Sequence, residues 1–399
     1  MANDVLVSPA ILALPQSIEN PYPIYDELRS ESPIMKGMAL KQPGWYVTGY
    51  EEAMTILKDS RFENRIPLPQ TTKKFEQLKN VQSDMMLFKN NQDHRRLRLL
   101  ISQFFTPTAL NDLCPYIEKT AHDLLDEVQD QKRMDIIADF AFPLASLIIA
   151  KIIGIPRGER HQFRGWAIHL IESIDFTRSR KTLVHGNETM KSLIDYFNNL
   201  IQARREMPEK DLISQLLKAE QDHKLSDEEI LSACILLVIA GHETTVNLIS
   251  NSVLALLQNR EQLLRLKENP SLIASAVEEF LRYESPTQMV ARVAAQDIDI
   301  YNVCIKKGEQ VYVLIGAANR DPRIFTNPNA LDITRNPNSH LAFGNGSHFC
   351  IGAMLAKLEA QMAIQPLIQR FENLQLETEQ LQWRRLIGFR ALNQLIVTW

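Results

Sequence analysis

The feature that most constrains this chain is a helix-periodic run at residues 226–258 whose middle cannot face water. ACILLVIA, residues 233–240, is apolar on every side, and a helix apolar all round has to be enclosed by other structure. Residues 93–105, 116–129, 187–206, 271–284 and 351–365 also place apolar side chains three and four apart, so helices are available to enclose it. Ser226, followed by Asp227, Glu228 and Glu229, supplies an N-cap and an acidic first turn. Strand signals are fewer: GWYVTG at 44–49, the turn-bounded stretch 297–315 and a C-terminal LIVTW. The pattern predicts a mainly α fold with small β-sheets. No repeat, low-complexity tract or Gly/Ser linker divides it, so one compact body is expected over 1–399.

Composition removes several function classes. A net charge of −4 with interspersed signs gives no nucleic-acid footprint. Cys114, Cys234, Cys304 and Cys350 are far apart and form no CxxC pair, which argues against a zinc site or a disulfide framework. The first sixteen residues, MANDVLVSPAILALPQ, lack a basic start and are interrupted by Pro9 and Pro15, so they do not read as a signal peptide. The apolar runs 141–155 and 233–241 read as too short or too interrupted to span a bilayer. A monomeric cytoplasmic protein with no membrane span is expected.

One cysteine sits in unusual company. FGNGSHFCIG, residues 343–352, surrounds Cys350 with three glycines, two phenylalanines and a histidine, and an amphipathic helix follows it. A helix N-terminus favours a thiolate, and glycine lets backbone amides approach closely. The residues alone leave three readings open: a buried structural cysteine, a thiol nucleophile with His348 as base, or an anionic sulfur facing something large. Three other stretches stand out. AGHETT, 240–245, places polar side chains in the apolar helix, where they cost free energy unless paired or working. Glu279 and Arg282 can pair on one helix face, and His94 and Arg98 share another. Residues 316–349 are irregular and rich in Asn, Pro, Asp and Gly, as functional segments often are.

Together these stretches resemble the cytochrome P450 family. F343-x-x-G346-x-x-x-C350-x-G352 matches its haem-binding signature, and the other three motifs lie in the family's order along nearly the whole chain. The resemblance implies the P450 fold as a single haem domain, with haem b as cofactor and Cys350 as the axial iron ligand. His94, Arg98, Arg292 and His348 would meet the propionates. Phe343 and Gly344 would belong to the cradle, and Ala240 and Gly241 would lie beside the haem, with the glycine loosening the helix to open a groove for dioxygen. Thr244 would hydrogen-bond the iron-bound peroxo species and Glu243 would relay protons. Glu279, Arg282 and Arg335 would lock the scaffold. Met86, Leu87, Leu236, Ile239, Met289, Val290 and Phe389 would form an apolar substrate wall.

The implied activity is monooxygenation, the hydroxylation or epoxidation of an apolar steroid, terpenoid, polyketide or macrolide, or fatty acid. Dioxygen and two external electrons would be consumed. A ferredoxin or flavodoxin with its NAD(P)H-dependent reductase would deliver the electrons, docking on a basic patch of Arg95, Arg96 and Lys357. A peroxide-driven peroxygenase and a non-catalytic haem sensor are the alternatives, and retention of Glu243 and Thr244 argues against both. Pro366 departs from the family pattern and is expected to kink or end the helix after Cys350.

Overall fold

The computed structural model describes residues 8–68, 73–222 and 224–399; residues 1–7 of the N-terminal stretch lie outside it. Eight helices position the site: α1 (Asn91–Ile101), α2 (Pro107–Val128), α3 (Phe142–Ile153), α4 (Phe163–Ile174), α5 (Arg180–Glu206), α6 (Asp227–Gln258), α7 (Ile273–Tyr283) and α8 (Ala353–Arg370). The fold is mainly helical with small sheets. Helix α6 starts at a capping box in which Ser226 and Glu229 satisfy each other's backbone N–H groups. It runs 32 residues through the centre, packed by α3, α4, α5 and α8.

The membrane expectation needs a correction in its reasoning. Ile136–Ile153 and Asp227–Gln258 are each long and apolar enough to cross a bilayer. In the apolar 18-residue stretch of each, 67% and 72% respectively is instead buried against the rest of the chain. Their hydrophobicity is that of core helices with several packed faces.

Ten strands form the small sheets. β1 (Ile34–Ala39), β2 (Gln42–Val47), β3 (Phe62–Asn64), β5 (Met289–Ala294) and β8 (Gln310–Leu314) make a sheet of order β1-β2-β8-β5-β3. β4 (Arg133–Asp135), β9 (Gln375–Leu376) and β10 (Ile396–Thr398) make a second. The 297–315 stretch divides into β8 and a hairpin of β6 (Ile298–Ile300) and β7 (Val303–Ile305). In the larger sheet Asn64 lies opposite Arg292.

Helix α8 continues through Pro366 to Arg370, so the expected ending there does not occur. Ala363, Ile364, Leu367 and Ile368 on either side are buried. That burial holds the helix together across one missing backbone hydrogen bond.

The irregular segment after β8 is held by one carboxylate. Glu279 and Arg282 are fully buried. Arg282 donates through Nε and Nη2 at 2.8 Å to the two Glu279 oxygens, and Arg335 adds Nε at 3.1 Å. The backbone N–H of Asp332 donates to the same carboxylate at 2.9 Å and Asn338 Nδ2 at 3.1 Å. The arginines' other donors reach the carbonyls of Asn319, Pro328, Ala330 and Thr326. Main chain that no helix or sheet satisfies is thereby paired. Glu279→Gln should lower unfolding stability by about 3–5 kcal/mol, because two arginines lose their counter-charge in a buried site. Arg96→Met, which breaks a half-exposed pair with Glu229, should cost less than about 1 kcal/mol. Urea denaturation of both variants checks the contrast.

Candidate active site

The cysteine loop is shaped by two left-handed glycines, Gly344 at φ 72° and Gly346 at φ 74°. A Cβ on Gly346 would lie 2.6 Å from the carbonyl oxygen of Leu57, so no other residue fits without moving the backbone. Cys350 N–H donates to Phe343 C=O at 2.9 Å, which closes the loop. The thiol lies two residues before the N-cap of α8. The helix terminus does not by itself make a thiolate here. Although Cys350 is exposed on one side, desolvation by the surrounding loop pushes its thiol up from the ordinary value, and the Gly352 N–H and the Arg98 charge pull it back by less. An anionic sulfur at this position calls for a metal cation, since coordination deprotonates a thiol outright.

Around that loop the structure collects cationic and donor side chains from three elements. His94 and Arg98 come from α1, Arg292 from β5 and His348 from the loop. The His94 and His348 rings lie 3.9 Å apart. Burial lowers the pKa of all four, to about 3 for His348 and about 10 for Arg292. Mutual repulsion adds to the effect: Arg98 acts on His94, and His94, Arg292 and Arg98 act on His348. Among the described residues no carboxylate pairs with Arg98 or Arg292. The donor set therefore suits a dianionic group such as the two haem propionates.

Asn64, which the sequence did not single out, sets the histidine. Its Nδ2 donates to Leu87 C=O at 2.5 Å and contacts His348 Nδ1 at 2.9 Å. A carbonyl only accepts, so that atom is the amide nitrogen. His348 Nδ1 is then the acceptor, and Nε2 carries the ring proton.

Helix α6 is buried from Ser232 to Leu256 except at Ala240, Gly241 and Thr244, which open along one face. Thr244 Oγ1 donates to Ala240 C=O at 2.7 Å. The helix runs unbroken through Gly241. A Cβ there would meet Ile149 at 2.8 Å, so the glycine serves close packing against α3. Glu243 is buried and held by Arg384 Nη1 at 2.7 Å; Nη2 of that arginine reaches Glu172 on α4 at 3.4 Å. His242 turns away, donating from Nδ1 to Val238 C=O at 2.6 Å and accepting from Ser146 Oγ at 3.3 Å.

A narrow apolar cleft, about 10 Å³ in volume, lies between Leu236 and Ile239 of α6, Leu170 and Ile174 of α4, and Leu87 and Phe88. Of the seven expected wall residues it includes Leu87, Leu236 and Ile239. Met85 lines it in place of Met86, which is buried in the main helical core. Met289 is a correction. It belongs to a separate core cluster with Tyr25, Tyr46 and Tyr312, because a strand sends alternate side chains to opposite faces. Val290 shares the Arg292 face of β5, and Phe389 pairs across a bridge with Thr287; neither lines the cleft. The expected basic patch is also reduced. Arg95 is exposed, but Arg96 pairs with Glu229 and Lys357 with Glu278 at 2.9 Å.

Burial lowers the His242 pKa to about 4, against about 6.5 unfolded. Between those values the unfolded chain takes up a proton that the folded site refuses, so stability falls as pH drops through the window. The loss should total about 3 kcal/mol. His242→Gln should show a correspondingly smaller decline between pH ~7 and ~4 in denaturant titrations.

A cytochrome P450 family profile matches residues 6–387. The biotin biosynthesis cytochrome P450 of Bacillus subtilis (strain 168) is 59% identical over 381 residues, 96% of each chain. The polyketide biosynthesis cytochrome P450 PksS of the same strain is 39% identical, over 95% of this chain and 96% of its own. The crystal structure of P450BioI in complex with hexadec-9Z-enoic acid ligated acyl carrier protein superposes with a TM-score of 0.94 at 59% identity, covering 96% of this chain and all of that one. With its cysteine loop, its ring of cations and its central helix, the chain belongs to the cytochrome P450 family.

Proposed function

We propose that this P450 monooxygenase oxidises a long, slender acyl chain, free or carried as a thioester. The observation that carries the reading is the cleft: narrow, walled by apolar side chains from α4, α6 and the Leu87–Phe88 turn, with no charged group along it. Such walls suit an extended methylene chain, whose burial gains roughly 0.8 kcal/mol per CH₂. At about 10 Å³ the cleft must widen for any substrate, and an extended chain needs the walls to part less than a bulky macrolactone or fused-ring steroid does. The related P450BioI, solved in complex with a hexadec-9Z-enoic acid ligated acyl carrier protein, supports the same class.

Haem is the family's cofactor, and bound haem supplies the iron at which dioxygen is reduced and a C–H bond oxidised. The residues present fit it. Cys350 would hold the iron as a thiolate, with Phe343 and Gly344 in its cradle. Arg98 and Arg292 would neutralise the propionates, and His94 and His348 would hydrogen-bond them, His348 donating from the Nε2 that Asn64 leaves protonated. Ala240, Gly241 and Thr244 form the open face of α6. Thr244 would hold and pass a proton there, its hydroxyl kept in place by the Ala240 carbonyl. Glu243 would replenish that proton when Arg384 releases its carboxylate. The apolar cleft would orient the chain and exclude water. Electrons would come from a ferredoxin or flavodoxin and its NAD(P)H-dependent reductase. Arg95 is the one member of the expected docking patch without an ion-pair partner among the described residues. The cytoplasm, where such reductases work, is the proposed compartment.

Titrating the haem-loaded enzyme with saturated C12–C16 acids, acyl carrier thioesters, testosterone and a macrolactone tests the substrate class. Acyl chains should give the Soret shift that marks loss of the distal water. A shift from the steroid or macrolactone alone would reverse the assignment. Thr244→Ala should keep consuming reductant but lower product per reducing equivalent by about tenfold or more, with hydrogen peroxide released instead. Product quantitation against NAD(P)H oxidation measures this.

A further inference from the structure

The cleft walls carry no charge, but the loop at one end of the cleft does. Helix α4 lines the cleft with its last turn and ends at Ile174, and residues 175–179 turn into α5. Asp175 is buried and clasps the C-terminal loop. Its carboxylate accepts from the N–H groups of Thr177 at 2.8 Å and Gly388 at 2.8 Å, and from the Thr177 hydroxyl at 2.7 Å. Phe176 packs edge-on against Tyr312 at 5.6 Å, and Arg65 lies over both rings with its Cζ about 6 Å from each centroid. Arg178 comes from the same turn.

These two arginines are underused. Arg65 donates to Gln42 Oε1 at 3.1 Å, and Arg178 makes only long contacts to Pro67 C=O at 3.4 Å and Asp175 C=O at 3.3 Å. Each guanidinium has five donors, and among the described residues neither forms an ion pair. Both are half-buried. Arg178 reaches Pro67, two residues from Arg65, and Arg65 lies over Phe176, two residues from Arg178, which brings the two like charges close enough for Arg65 to repel Arg178. Two desolvated like charges held together without a counter-ion are unfavourable alone and favourable around an oxyanion.

We propose that Arg65 and Arg178 jointly bind the oxyanion head of the substrate, a fatty carboxylate or the phosphate of a carrier arm, while the chain enters the apolar cleft. The inference rests on the acyl-chain reading above. It assigns a specificity role to two residues that the sequence did not mark.

Affinities of the haem-loaded protein for hexadecanoate, 1-hexadecanol and a hexadecanoyl acyl carrier protein thioester, measured by calorimetry, test it. The neutral alcohol reports on the chain alone. The pair Arg65→Gln, Arg178→Gln should weaken hexadecanoate or the thioester by roughly ten- to hundredfold and leave hexadecanol within about twofold. Weakening of the free acid identifies a carboxylate site; weakening confined to the thioester identifies a phosphate site. Unchanged affinity for both overturns the proposal. If the glutamine pair also loses hexadecanol, the pair Arg65→Lys, Arg178→Lys decides instead. A retained preference for acid or thioester over alcohol supports the charge site, and a lost preference overturns it. Wild-type protein that binds no hexadecanol overturns both this inference and the acyl-chain reading. A chain that binds regardless of the arginines overturns only the head-group site.

Discussion

One buried carboxylate organises the proximal half of this molecule. Glu279 has no exposed surface, and it neutralises two arginines that between them take up carbonyls from Asn319 to Ala330. Without it, the turns between β8 and the cysteine loop would leave main-chain groups unpaired in a low-dielectric interior. With it, an irregular stretch is held as firmly as a helix, and Leu341, Phe343 and Cys350 follow from a fixed start. The chemistry of the site depends on this placement, because a metal ligand supplied by a loop needs a rigid support behind it.

The site divides into two environments that demand different things of the sequence. On one side, His94, Arg98, Arg292 and His348 crowd together, and the charges of Arg98 and Arg292 depress the affinity of the histidines for protons. On the other, α6, α4 and the Leu87–Phe88 turn offer mostly methyl and ring surfaces, with Gln82 and Ser173 the uncharged polar exceptions. A haem with charged propionates and a hydrophobic macrocycle has the same polarity division. Glu243 bridges the two: its carboxylate is tied through Arg384 to Glu172, so the polar centre of α6 and the cleft helix α4 share one arginine.

Local signals were legible and long-range ones were not. The periodic helices, the Ser226 cap and the Glu279–Arg282 spacing could be read because each is settled within a few residues. Strand β5 was hidden because MVARVA interleaves Arg292 among apolar residues and shows no clean alternation. The same strand misplaced Met289: its residue type suited a pocket, but the pleat sends it to the tyrosine cluster. Asn64, Arg384, Arg65 and Arg178 carry no motif. Their partners lie far away in sequence, as with Asn64 and His348 or Arg384 and Glu243, and only folding reveals them. Gly241 matched the family yet here answers to Ile149.

We propose that Cys350, whose surroundings favour the neutral thiol in the haem-free protein, becomes an anionic iron ligand once haem is bound. The carbon monoxide difference spectrum of the reduced, haem-loaded protein tests this most directly. The account predicts the long-wavelength Soret band of thiolate ligation, persisting from mildly alkaline to mildly acidic solution because the metal, not the free thiol's pKa, keeps the sulfur charged. A band at the shorter wavelength of neutral-thiol or histidine ligation in freshly prepared, folded protein would contradict it.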